Sequence, residues 1–135
     1  MTEQEKKILF QAICESLPYG LRCTTKAHGW PGVYPICGCI GNKIILDCPK
    51  EVEGDDIWLV QNIVPYLRPL SDMTEEERNE YLSIKMQETE RVALAEIYRP
   101  EAISEIMVWL ISKHFDYRGL IPMGLALPAP EGMYK

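Results

Sequence analysis

No run of basic residues interrupts this 135-residue chain; its one adjacent basic pair is Lys6-Lys7, directly after Glu5. Together with a net charge of -6, that works against nucleic-acid binding, because phosphate contacts need clustered Lys and Arg; no nucleic-acid partner is expected. Long apolar runs are missing as well. The uncharged apolar stretch of residues 119–130 contains three prolines and is too short for the ~20 residues that span a bilayer. The start, Met1-Thr2-Glu3-Gln4-Glu5, is acidic where a secretory signal needs a basic end and an apolar run. A cytoplasmic protein with no membrane contact is expected. Phosphate-cradling loops are absent: Gly29, Gly32, Gly38 and Gly41 fit neither the dinucleotide nor the P-loop pattern. No Gly-x-Ser-x-Gly elbow occurs. Paired carboxylates at a catalytic or cation-binding spacing are also lacking, since Glu88, Glu90, Glu96 and Glu101 are scattered. No cofactor, no metal and no catalytic residue is expected from these patterns.

What is present describes one domain over residues 1–135, of α+β class. Apolar residues make up 47% and charged residues 25%, an ordinary balance for a globular chain. Thr2-x-x-Glu5 is a capping box. Leu9, Ala12, Ile13 and Leu17 follow at helical spacing, and Pro18 and Gly20 end the helix, which is predicted over 3–16. Leu21, Cys23 and Thr25 alternate with polar residues, as in a half-buried strand. Two short strands, 36–40 and 43–48, flank Gly41-Asn42, a type II′ turn signal that pairs Ile40 with Lys43, Cys39 with Ile44 and Cys37 with Leu46. Residues 49–56 read as an acidic loop. Ile57-Trp58-Leu59-Val60 is all apolar and is expected to be a central strand or one buried on both faces. A small, mostly antiparallel sheet of three to four strands results.

The second half is predicted helical. Val64 to Pro69 holds two prolines and reads as an ordered connection. Thr74 caps a helix with Glu77 as its reciprocal partner, and Glu75, Glu76 and Glu77 suit the positive end of its dipole. Leu82, Met86, Thr89, Ala93 and Ile97 form its apolar stripe, to about Tyr98. Pro100 suits the first turn of a last helix over 101–114. Its face is Ile103, Ile106, Met107, Leu110, Ile111 and His114. The stretch 119–134 is expected to dock back on the body through Leu120, Ile121, Met123, Leu125 and Leu127, after Gly119 ends the turn behind the last helix. The other reading of this apolar strip is a surface for a partner or a second copy.

Five cysteines are present, an odd number that suits a reducing compartment. Cys37-Gly38-Cys39 and Cys48, with Cys23 upstream, lack the C-x2-C spacing of zinc knuckles. The predicted register puts Cys37, Cys39 and Cys48 on the aliphatic face with Ile44 and Leu46, where cysteine acts as a small hydrophobe. His28 lies beside Trp30 in a loop; His114 ends a helix, where it favours the dipole. The sharper alternative is a small cysteine- or metal-dependent enzyme using Cys37, Cys39, Cys48 and His114.

Two segments stand out: Pro65-Tyr66-Leu67-Arg68-Pro69-Leu70-Ser71 and Phe115-Asp116-Tyr117-Arg118-Gly119-Leu120-Ile121. Each holds a Tyr with an Arg close behind. Loops carry function and Tyr and Arg favour interfaces, so Tyr66, Arg68, Asp116, Tyr117 and Arg118 are a candidate interaction surface. Alternatively the tyrosines anchor structure, the arginines bind carbonyls or carboxylates, and Asp116 is a turn or cap partner.

These blocks, the first continuing as Met73-Thr74-Glu75-Glu76-Glu77 and the second through Pro122-Met123-Gly124-Leu125-Ala126 to Glu131-Gly132-Met133-Tyr134, resemble a family of small proteins of Bacteroides-type gut bacteria and their phages or mobile elements. Asp72 stands where that family commonly has a second Ser. The resemblance implies a bacterial or phage origin and carries over no catalytic residues. A non-enzymatic accessory protein, acting through an unknown protein partner or through self-association, is the function expected.

Overall fold

A computed structural model describes residues 1–26, 32–47, 57–98 and 105–134, with the helical backbone alone over 88–98. His28, Trp30, Cys48, Pro100, Ile103 and the whole of 49–56 lie outside the described residues. The class is α+β, in the order α1 (Glu3–Ser16), β1 (Arg22–Thr25), β2 (Tyr34–Ile40), β3 (Lys43–Leu46), β4 (Ile57–Leu59), β5 (Ile63–Leu67), α2 (Glu75–Tyr98), α3 (Glu105–Ser112) and β6 (Leu127–Pro128). No helix among the described residues is long and apolar enough to cross a membrane.

The capping box forms as the spacing requires. The Glu5 amide donates to Thr2 Oγ1 at 3.1 Å, and the Thr2 amide donates to Glu5 Oε1 at 3.3 Å. Leu9 and Ile13, one turn apart, are fully buried against the sheet. A short turn over Leu17–Tyr19 then ends the helix at Gly20.

The sheet is larger than the three to four strands expected. Six strands run in the order β4-β3-β2-β1-β5-β6, all antiparallel except β6, which joins β5 in parallel. The two unexpected strands come from segments whose prolines hid their period. In β5, Ile63, Pro65 and Leu67 are buried while Val64 and Tyr66 are half-buried, a clean two-residue alternation. Pro65 is tolerated because it sits opposite Cys23, between the bonded positions: the Lys26 amide donates to the Asn62 carbonyl, so even-numbered residues of β5 face β1. The missing N–H therefore points away from that ladder.

Strand β4 is not central. It forms one edge of the sheet, and Ile57 and Leu59 are exposed; only Trp58 turns toward the core. The β2–β3 register also differs. Ile40 pairs with Lys43 and Cys39 with Ile44, as expected of a turn with Gly41 at φ 60°. Further along, Gly38 pairs with Ile45 and Ile36 with Leu46, so a bulge falls at Cys37. An extra residue reverses the side-chain alternation. Tyr34 and Ile36 point inward before the bulge and Cys39 after it, while Cys37 is exposed. The single cysteine-bearing face inferred from the unbulged register does not exist.

A second, smaller core joins α2 to α3. Trp109, Leu110 and Phe115 form it, with Met73, Tyr81, Ile84 and Ile106 packed around. Trp109 lies with its ring 6.0 Å from Tyr81 and 5.8 Å from Phe115, inside the favourable range for aromatic pairs. Of the stripe expected on α2, Leu82 and Met86 are exposed, and the side chains of Thr89, Ala93 and Ile97 lie outside the described residues. The inward face is Glu77, Tyr81 and Ile84, and a charged member concealed it. On α3 the face is likewise turned toward Trp109, leaving Met107 exposed.

Candidate functional site

The two Tyr/Arg segments, some fifty positions apart in sequence, meet in space. The Arg68 amide donates to the His114 carbonyl at 2.7 Å, and the Asp116 amide donates to the Arg68 carbonyl at 2.8 Å. This isolated parallel bridge, Arg68 with Phe115, continues the direction of the β5–β6 pair.

Helix α3 reaches that bridge through an unusual ending. The Phe115 amide donates to the Leu110 carbonyl and the His114 amide to the Ile111 carbonyl, both at 3.0 Å. That is a Schellman closure, which places its C′ residue in the left-handed region, normally as glycine. Here His114 occupies it with φ 63°. Histidine tolerates this conformation better than most side chains, and its ring is held on both sides. The imidazole stacks on Tyr134 with centroids 3.8 Å apart, and Nε2 lies 2.6 Å from the Tyr19 carbonyl. Nε2 therefore donates in the neutral ring.

Burial, and secondarily the nearby Arg68 and Arg22, pulls the His114 pKa down from 6.5, while the Tyr19 carbonyl opposes the shift. The unfolded chain then binds a proton first as pH falls through about 6.5. The His114 contribution is complete above that pH and is lost below it. The melting temperature should fall from pH 7.5 to 5.5, and the fall should be smaller in His114→Gln; an equal fall in both proteins would remove His114 as its source.

Each of the five candidate residues has partners inside the chain. Arg68 makes two bonds to Glu77, Nη1 to Oε2 at 2.8 Å and Nη2 to Oε1 at 2.6 Å, and its guanidinium lies 4.2 Å from the Phe115 ring centre. The Arg68 fork pulls the Glu77 carboxyl down to about 2. Asp116 is buried, and its two oxygens accept the amides of Leu120 at 2.7 Å and Ile121 at 2.9 Å. The Tyr117 hydroxyl donates to Glu15 Oε2 at 2.6 Å, and Arg118 binds the other oxygen of Glu15. Burial first, then the Glu15 bond, pushes the Tyr117 phenol up to about 12. The Tyr66 carbonyl accepts from the Tyr134 hydroxyl at 2.7 Å.

Tyr134 closes the arrangement. Its hydroxyl also accepts the Arg22 amide at 2.9 Å, so it sits between β1 and β5 where the next ladder bond would fall. The segment 119–134 is thus docked as expected through Leu120, Ile121 and Leu125, whereas Met123 and Leu127 are exposed.

The space on the inner side of the site is small. The cavity beneath Asp116, lined by Ile13, Leu21, His114 and Leu120, measures about 20 Å³, room for one water. An open cleft of about 640 Å³ lies outside it beside Arg68, Glu77, Lys113, Glu131 and Tyr134. Its Arg68 and Glu77 neutralise each other. The sequence-level group of Cys37, Cys39 and His114 is not assembled: Cys37 is exposed, Cys39 faces inward, and His114 meets Tyr19 and Tyr134. Cys48 lies outside the described residues. Among the described residues no three His, Cys, Asp or Glu side chains are placed to hold a metal ion.

One cysteine gave no signal in the sequence. Cys14 is a half-buried helix residue whose Sγ lies 3.2 Å from that of Cys39. Neither its spacing nor its neighbours mark it, because the pair is made only when α1 lies across β2.

Comparison with protein-family models, with curated proteins and with solved structures finds no match to this chain.

Proposed function

We propose that this protein is a non-enzymatic accessory protein acting by protein–protein contact, in keeping with the phage and mobile-element family that its Tyr66 and Tyr117 blocks resemble. The observation that carries this reading is an apolar face on the outer side of β2, β3 and β4. Register aligns Ile40, Lys43 and Leu59 in one cross-strand row and Gly38, Ile45 and Ile57 in the next. Ile40 is 57% exposed, Ile57 44% and Leu59 42%. Clustered exposed aliphatics of this kind mark contact surfaces. The Arg68 fork, both Asp116 oxygens, the Tyr117 hydroxyl and one Arg118 nitrogen are engaged inside the chain, which favours the sheet face as the surface.

A second copy of the chain fits this face. Along β3 and just beyond it, Lys43, Ile45 and Asp47 share the outer side, with both charges exposed. A two-fold axis through Ile45 sets Lys43 of each copy against Asp47 of the other and places the aliphatics between them. That is the self-complementarity an isologous dimer needs.

Sedimentation equilibrium over a concentration series tests this. A concentration-dependent dimer is expected, weakened about tenfold or more by Ile57→Asp. Lys43→Glu should weaken it as well, and Lys43→Glu with Asp47→Lys should restore it. A chain that stays monomeric to millimolar concentration, or a dimer indifferent to these changes, overturns the assignment.

A further inference from the structure

We propose that Cys14 and Cys39 are an oxidation site that closes to a disulfide between α1 and β2. Their Sγ atoms are 3.2 Å apart although the residues are 25 positions apart in sequence. A disulfide needs about 2.05 Å, so the sulfurs must approach by roughly 1 Å, within reach of small χ1 changes. Both thiols are half-buried, so a small oxidant reaches them, whereas Cys23 is fully buried. The bulge at Cys37 creates the pairing. It turns Cys39 toward the helix and leaves Cys37 outside, its Sγ 3.5 Å from the Ile45 carbonyl.

The oxidant class that balances the reaction is a low-molecular-weight disulfide such as oxidised glutathione. The Cys14 thiol loses its proton and its sulfur attacks one sulfur of the small disulfide, whose S–S bond breaks and releases one thiol. Cys39 then loses its proton and attacks Cys14 Sγ. The protein S–S bond forms and the second small thiol leaves. Two protein thiols are oxidised and one small disulfide is reduced to two thiols. Burial, and then the hydrogen bond with Cys14, pushes the Cys39 thiol up to about 12. A raised pKa keeps Cys39 from starting the exchange and makes its deprotonation the slow part of the second step, since either attack needs a thiolate.

The link would fix α1 to the sheet. That helix carries Leu9 and Ile13 into the core and holds Tyr117 and Arg118 through Glu15. The inference stands apart from the proposed function, because it concerns the inner face of β2.

The decisive experiment uses the Cys37→Ser protein, because Cys37 and Cys39 would otherwise share one tryptic peptide. The native protein is treated with excess oxidised glutathione, alkylated, and digested without reduction. Peptides 8–22 and 27–43 should be joined, about 2 Da lighter than their sum. The melting temperature should rise by about 5–10 °C, and dithiothreitol should reverse both changes. Cys14→Ser in the same background should abolish the linked peptide and the shift. Recovery of the two peptides unlinked, as glutathione adducts or unmodified, overturns the proposal, as does linkage to peptide 23–26. The mapping decides the matter on the paired protein itself, even where the Cys14 variant folds poorly.

Discussion

Asp116→Ala should lower the folding free energy by about 2–5 kcal/mol, one of the two largest losses expected of any polar substitution in this chain. The side chain is 7% exposed, and its two oxygens accept the amides of Leu120 and Ile121. Alanine leaves two backbone donors unpaired, at ~1–3 kcal/mol each. Leu120 is 0% exposed, so its amide has no easy route to water. The damage should spread to Leu125, Ala126 and Tyr134, which follow from the same turn. Thermal unfolding should show a drop of about 10 °C or more, and trypsin should cut after Arg118 in the folded protein. Asp116→Asn keeps one acceptor and should lose about half as much. A melting temperature within a degree or two of the parent in both variants would show that the turn is held by its apolar side chains alone.

Arg68→Ala should cost about 2–4 kcal/mol, and the loss should depend on pH. Arg68 and Glu77 have side chains only 19% and 15% exposed, so screening is limited. The guanidinium also reaches the Lys113 carbonyl at 3.4 Å and covers Phe115. Removing it leaves the Glu77 carboxylate without its counter-charge and with only the Thr74 amide at 3.1 Å, the costly way to break a buried pair. Arg68→Lys keeps the charge but loses the two-pronged geometry and should recover only part of the loss. The carboxyl of Glu77, at 4.5 in its ordinary state, lies at about 2 in the fold. A depressed folded pKa means stability that is complete above about 4.5 and lost as pH falls toward about 2. The parent should therefore weaken over that window. Arg68→Ala should weaken much less, and unfolding by urea at pH 7 and pH 3 measures the difference. Equal losses in both proteins would locate acid sensitivity elsewhere. Replacing the pair together, Arg68→Met with Glu77→Leu, should cost less than Arg68→Ala alone, because no charge is then left unpaired.

The local elements were legible wherever one chemical signal sufficed. Both capping boxes form as read, Thr2 with Glu5 and Thr74 with Glu77. So do the Gly41-Asn42 turn and the α+β class. Misreadings arose where a residue served the tertiary structure against its local appearance. Pro65 hid a strand, although proline is harmless at a position that makes no bond to β1. Glu77 hid the inner face of α2, because its charge is matched by Arg68 from another element. Cys37 hid a bulge. Ile57 and Leu59 looked like a buried strand, yet they lie on an exposed face.

The site residues divide in the same way. Tyr66, Arg68, Asp116, Tyr117 and Arg118 drew notice as loop residues of unusual type, which is a property of sequence. Their partners, Glu77, Glu15 and the Leu120 and Ile121 amides, were not readable, since a salt bridge between distant segments has no periodicity. Cys14 was invisible for the same reason. By itself the sequence determined two helix starts, one hairpin turn, a docked segment after the last helix and a net negative charge, because capping, turn conformation and net charge depend on neighbours or on sums along the chain. Only the tertiary structure decided which prolines sit in strands, which charges are buried, which face stays open and which two sulfurs meet. Those depend on distances between residues far apart in sequence, which packing alone sets.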